Sequence, residues 1–248
     1  MLPVRSSRLD RLLRPLHRWV WRDERRRASK LFRFAQTESD GGRDLSRAAE
    51  LTADGLLRRL FLRHALDEQR HAALFAERGR ALLAAAPYSV PARFEGNWFA
   101  PGERGLDDLR VEQQSPESLL AFLHLSEKAA AGRFQIYQEV LAADPQTRAL
   151  FREVLRDEAF HMAYTDKQLG RIAPRRRGWR LWQARLGRLW KAYLRFAVAV
   201  ASAIGTVGLL VQYFVLLPPF ALLAKKSERR ELPGWAPVPT SSGRGQYR

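Results

Sequence analysis

Residues 67–71 read Asp-Glu-Gln-Arg-His and residues 157–161 read Asp-Glu-Ala-Phe-His, so the pattern D-E-x-x-H occurs twice in 248 residues. A Glu and a His three positions apart lie on one face of a helix, a turn from each other. From there the pair can bind one metal ion while the same carboxylate reaches a second. A single E-x-x-H is a weak signal, because such pairs are common on solvated helix faces. Two copies in a chain with only five histidines are a strong one.

Both copies have the same setting. Glu38 precedes Glu68 by 30 residues, and Glu127 precedes Glu158 by 31. Apolar spacing predicts helices over about 28–52, 56–86, 116–142 and 146–172, with turns at Ala53-Asp54-Gly55 and Ala143-Asp144-Pro145. In each pair the lone Glu and the motif Glu stand about 15 residues from the turn, so antiparallel helices bring them to one height. They also fall on apolar seams. The second helix offers Leu57, Phe61, His64, Glu68, His71 and Phe75, and the fourth Phe151, Val154, Glu158, His161 and Thr165. The first offers Leu31, Phe34, Glu38 and Leu45. A carboxylate buried on such a seam is costly unless something pairs it. Two divalent cations would balance the four carboxylates.

The set Glu38, Glu68-x-x-His71, Glu127, Glu158-x-x-His161 resembles the ferritin-like di-iron carboxylate superfamily. The segments FAQTE…LDEQRH and LHLSE…RDEAFH look most like its rubrerythrin-type members. The resemblance covers residues 28–172. It implies an all-α ferritin-like four-helix bundle with a long crossover between helices 2 and 3. It also implies that those six residues hold two iron ions, or manganese, which react with dioxygen or peroxide. Pro87–Ser115 fits the crossover, and its Phe94, Trp98 and Phe99 are expected to cap one end of the bundle. Rubrerythrins often add a Cys-ligated iron domain. With no cysteine in this chain, electrons are expected from a separate donor or from the substrate. No catalytic side chain beyond the metal centre is expected.

Residues beside the ligands have two readings each. Asp67 and Asp157 lie four positions before a motif His; they either accept the outer imidazole N–H or are ordinary solvated carboxylates. His64 and His124 sit one turn before a ligand and are read as packed or outer groups rather than ligands. Tyr164 could relay a proton or electron, with packing the expected role. Gly41-Gly42 and Ala129-Ala130-Ala131-Gly132 are read as room for oxygen or substrate, or as a tolerated kink.

The net charge of +17 is unevenly placed. Residues 1–37 carry +8, residues 38–170 carry −4, residues 171–195 carry +9 and residues 225–248 carry +4. A nucleic-acid-binding domain would put its basic stripe on the folded body, so no nucleic-acid partner is expected. The basic collars instead flank Phe196–Ala224, which has no charged residue. Phe196–Leu217 is long enough to cross a bilayer as a single helix, which Pro218 and Pro219 are expected to end or bend. A shallow re-entrant segment is the alternative. Trp179, Trp182, Leu186, Leu189, Trp190 and Tyr193 recur at helical spacing among arginines, as in a helix lying at the headgroup layer, with anionic lipid as partner. Leu9–Trp21 could lie on the membrane too, though Pro15 interrupts it.

The expected organisation is a basic arm (1–27), the bundle (28–172), a juxtamembrane helix (173–195), a membrane segment (196–224) and a polar tail (225–248). No secretory signal is read in the first 30 residues. The heavier basic collar before the membrane segment puts the main domain in the cytoplasm, at a bacterial inner membrane. Ala197, Ala201 and Gly205 form a small-residue ladder that would suit a homodimer. The expected function is a membrane-anchored di-iron oxidase or oxygenase acting on a hydrophobic substrate. The alternatives are a ferroxidase or peroxide scavenger, and a non-enzymatic metal-stabilised scaffold.

Overall fold

A computed structural model describes residues 6–84 and 109–228. Among them the regular structure is entirely helical, with no strand. Phe94, Trp98 and Phe99, most of the Pro87–Ser115 stretch and most of the tail lie outside the described residues.

Two short helices, α1 (Arg8–Leu12) and α2 (Arg14–Arg22), lead into α3 (Glu24–Leu51). Asp23 caps α3 by accepting the Arg26 N–H at 2.9 Å, so this helix starts well before Ala28. Asp54 accepts the N–H groups of Leu56 and Leu57 at 2.9 and 3.1 Å and opens α4 (Gly55–Ala84), which takes in Gly55 as a helical residue. Ser115 and Asp144 cap α5 (Pro116–Val140) and α6 (Pro145–Ile172), each with a proline in the first turn, where no N–H is needed. Segments of only three or four residues join α3 to α4 and α5 to α6, so each pair is an antiparallel hairpin.

The two hairpins share apolar clusters toward either end. One holds Leu45, Leu57, Phe61, Leu120 and Leu169; the other holds Leu31, Phe75, Phe134, Phe151 and Val154. On each of these four helices the buried glutamate, Glu38, Glu68, Glu127 or Glu158, falls between the residues given to one cluster and those given to the other. The polar centre therefore lies between two close-packed apolar clusters.

The arm is not a separate segment. α2 packs on α3 and α5, and Trp21 is buried against Phe34, Tyr137 and Phe151. The stretch Leu9–Trp21 is interrupted at Leu13, between α1 and α2, and Pro15 sits in the first turn of α2. The opposite face of α1 and α2 leaves Leu9, Leu12, Leu16 and Trp19 exposed, Leu12 to 75%.

The chain divides into two units, ending and beginning at Lys191 and Ala192. In the first, the opening turns of α7 (Arg177–Val211) lie along α5. Arg180 pairs with Glu117 at 2.8 Å, and Arg188 donates to the Leu125 carbonyl at 2.8 Å. Part of the basic collar is thus spent on protein partners, while Trp179, Trp182 and Trp190 stay exposed. The second unit contains the rest of α7, a π turn over Gln212–Leu216 and α8 (Leu217–Glu228). Pro218 and Pro219 do not end the helix. The Leu217 N–H reaches back five residues to the Gln212 carbonyl, and this wider turn lies directly before both prolines. Helix runs unbroken over Arg177–Ser227, with an apolar portion long enough to cross a membrane.

Candidate metal centre

Glu38, Glu68, His71, Glu127, Glu158 and His161 are all buried. They come one from α3, two from α4, one from α5 and two from α6. Two groups of donor atoms are close enough to hold a cation, each spanning no more than 4.8 Å: Glu38, Glu68 and His71, and His64, Glu68, Glu127 and His161. Glu68 belongs to both. Glu158 lies outside these groups, yet it is buried beside Glu127 with its Oε2 lacking any partner.

The histidines are oriented from outside. His71 Nε2 lies 2.9 Å from Asp157 Oδ2, and His161 Nε2 lies 3.1 Å from Asp67 Oδ2. The pairing is crossed: each aspartate serves the histidine of the opposite helix, not the one four residues along its own. A carboxylate at Nε2 holds the proton there and leaves Nδ1 as a lone pair aimed inward. Nδ1 of both rings is buried without a hydrogen-bond partner. Arg70 in turn pairs with Asp157 and with Glu153.

His64 belongs to this constellation more closely than its sequence position suggests. Its Nε2 is 2.9 Å from Glu68 Oε1 and 3.5 Å from Glu127 Oε1, and its Nδ1 is 2.7 Å from the Tyr164 hydroxyl. Its ring stacks on that of His161 at 3.6 Å. His124 instead bonds the Met162 carbonyl at 3.2 Å and joins neither donor group. Gly42 is not room for substrate. A Cβ there would meet the Gln69 side-chain amide and stand 3.1 Å from the Ala65 carbonyl, so the glycine serves the close approach of α3 to α4. A Cβ at Gly41 would make only ordinary contact with Glu68, at 3.6 Å. Ala131 and Gly132 are buried.

The electrostatics are those of a site built for cations. Burial, reinforced by neighbouring carboxylates, pushes Glu38 and Glu158 well above the usual carboxylate range, and burial raises Glu68 too. Glu127 goes the other way: burial opposes its charge, but a proton on His64 would outweigh burial through its field, and a hydrogen bond with Glu158 adds to the lowering. Burial also lowers His64 and His161, favouring the neutral rings that bind metals. Unpartnered inward imidazole nitrogens, an unpartnered carboxylate oxygen and four buried glutamates are the donors that divalent metal ions satisfy, and nitrogen with carboxylate oxygen suits first-row transition metals.

Sequence reasoning did not find the crossed pairing, the Arg70 contact or the place of His64. One signal was available. The contacts 64–164, 67–161 and 71–157 keep a constant sum, which is antiparallel register between α4 and α6, and the repeated D-E-x-x-H encodes the last two as mirror images. Comparison with protein-family models, curated proteins and solved structures gives no match.

Proposed function

We propose that the chain is a ferritin-like four-helix carboxylate protein. In this reading it holds two iron ions, with manganese the alternative metal, and is a membrane-anchored oxidoreductase. The single observation that carries the reading is the mirrored pair of histidines. Each has its outer nitrogen on an aspartate and its inner nitrogen open among four buried glutamates.

Glu38 and His71 would hold one ion, Glu127, Glu158 and His161 the other, and Glu68 would be shared. The bound metals would supply redox chemistry toward dioxygen or peroxide. The protein's own part is to keep the rings neutral and aimed, to balance the metal charge and to exclude water with the apolar clusters at each end. The helix over Arg177–Ser227 would anchor the chain, with its basic collar and exposed tryptophans at the headgroups of a bacterial inner membrane and the metal-binding unit in the cytoplasm. The exposed stripe Leu9, Leu12, Leu16 and Trp19, bordered by Arg8, Arg11, Arg18 and Arg22, supports a second contact with anionic lipid. That setting favours a hydrophobic, bilayer-soluble substrate. The lack of cysteine favours a second reading in which ferrous iron itself donates the electrons, a ferroxidase.

The test is to purify the full chain in detergent and count its iron. About two irons per chain, lost in Glu68→Ala and His161→Ala, is the expected result; a wild-type protein that takes up no metal would sink the proposal. Oxygen consumption is then followed with Fe(II), and separately with a reductant and a lipid or quinone extract. Turnover of Fe(II) alone would favour the ferroxidase.

A further inference from the structure

We propose that His64 is itself a metal ligand, so that the two ions sit in unlike donor sets, with two imidazoles at one and one imidazole at the other. This rests on the two-metal reading above.

The geometry treats three rings alike. His71, His161 and His64 each present one nitrogen to an oxygen on the opposite helix: Asp157 at 2.9 Å, Asp67 at 3.1 Å and the Tyr164 hydroxyl at 2.7 Å. Each has its other nitrogen among the buried glutamates. For His64 that nitrogen is Nε2, near Glu68 and Glu127. The outer contacts fall at successive positions of one antiparallel register, so Tyr164 stands to His64 as the aspartates stand to the other two rings. Stacking on His161 sets Nε2 beside the same two carboxylates that the His161 Nδ1 faces, 3.8 Å from Glu68 Oε1 in the latter case. Those four side chains meet the spacing for a single cation. The second group, Glu38, Glu68 and His71, has only one imidazole.

The competing role for His64 is a hydrogen bond that steadies Glu68. His64→Gln separates the two, because an amide retains a donor but is a poor ligand. Metal-free full-length protein in detergent is titrated with Co(II), read by visible absorption. The wild type should bind in two steps. His64→Gln and His64→Ala should weaken one step by about 10- to 100-fold and leave the other within about threefold, and Tyr164→Phe, which removes only the outer partner of the His64 ring, should weaken that same step by less. Two unchanged steps in His64→Gln, or two steps weakened together, would overturn the assignment. A wild type that binds no cobalt would remove the two-metal reading as well. Should the variants fail to fold, nitrogen-15 histidine spectra of the Zn(II)-loaded wild type decide instead. Three of the five imidazoles should shift on loading, and a shift of only two defeats the proposal.

Discussion

Asp157 touches His71 across the helix interface and does not orient the histidine of its own motif. Its removal should therefore be felt at the opposite site. Asp157→Ala is expected to weaken the ion shared by Glu38, Glu68 and His71, and Asp67→Ala the ion at His161, each by about 10- to 100-fold. Metal titration of the two variants checks this: each should lose affinity in a different one of the two binding steps. If each aspartate instead oriented its own-helix histidine, the two effects would exchange. Arg70, which pairs with Asp157, should have a smaller influence in the same direction as Asp157, since it reaches His71 through that carboxylate.

At the scale of the elements, the junction at Asp144 joins three helices. Its carboxylate caps α6 through the Thr147 N–H at 3.0 Å, and it pairs with Arg27 of α3 at 2.6 Å and Arg78 of α4 at 2.9 Å. Burial alone would raise its pKa, but the Thr147 hydroxyl and N–H and the two guanidinium groups outweigh that and hold it at about 2. The unfolded value is about 3.9, so this carboxylate stabilises the fold by roughly 2–3 kcal/mol once the pH is above about 4. The contribution is lost as the pH falls from about 4 through 2, where the unfolded chain binds the proton more readily. Asp144→Asn should lower urea stability by about that amount at pH 7, and the gap from wild type should narrow steadily toward pH 2. A gap independent of pH would show that the charge is not responsible. The arm makes a second prediction at this scale. In a cysteine-free chain, single nitroxide labels at Leu12→Cys and Arg18→Cys report cleanly on their surroundings. In nanodiscs containing anionic lipid, the label at position 12 should be more accessible to oxygen than to a polar nickel complex, and the label at position 18 the reverse. Equal aqueous exposure at both would argue against membrane contact by this face.

For the whole molecule, the positive charge and the apolar helix belong to one design. The middle that carries the His/Glu clusters is slightly acidic, and the excess of +17 lies on either side of it, much of it bracketing the apolar run. Among the described residues nothing buries the apolar part of the 51-residue helix, a larger apolar surface than a soluble protein leaves in water. Full-length protein in membranes should therefore resist extraction by alkaline carbonate and dissolve only with detergent. Release by carbonate would reduce the segment to a peripheral contact and remove the reason for placing the redox chemistry beside lipid.

Much of this was legible in the chain itself. Residue spacing along one helix sets height and face, so the two D-E-x-x-H motifs and their partner glutamates announced six buried positions on four helices. The uncharged run announced a membrane-length helix, because hydrophobic length is a property of the sequence alone. What depends on the register between helices was not legible: which aspartate holds which histidine, that His64 faces Glu68 and Glu127, and that Gly42 serves Gln69 rather than a substrate. Nor was the fate of the prolines, since a widened π turn is a backbone solution that composition does not reveal, or the burial of Trp21, which needs Phe34, Tyr137 and Phe151 brought together from three helices. Periodicity determined which side chains turn inward; only the packing of one helix against another decided what each of them meets there.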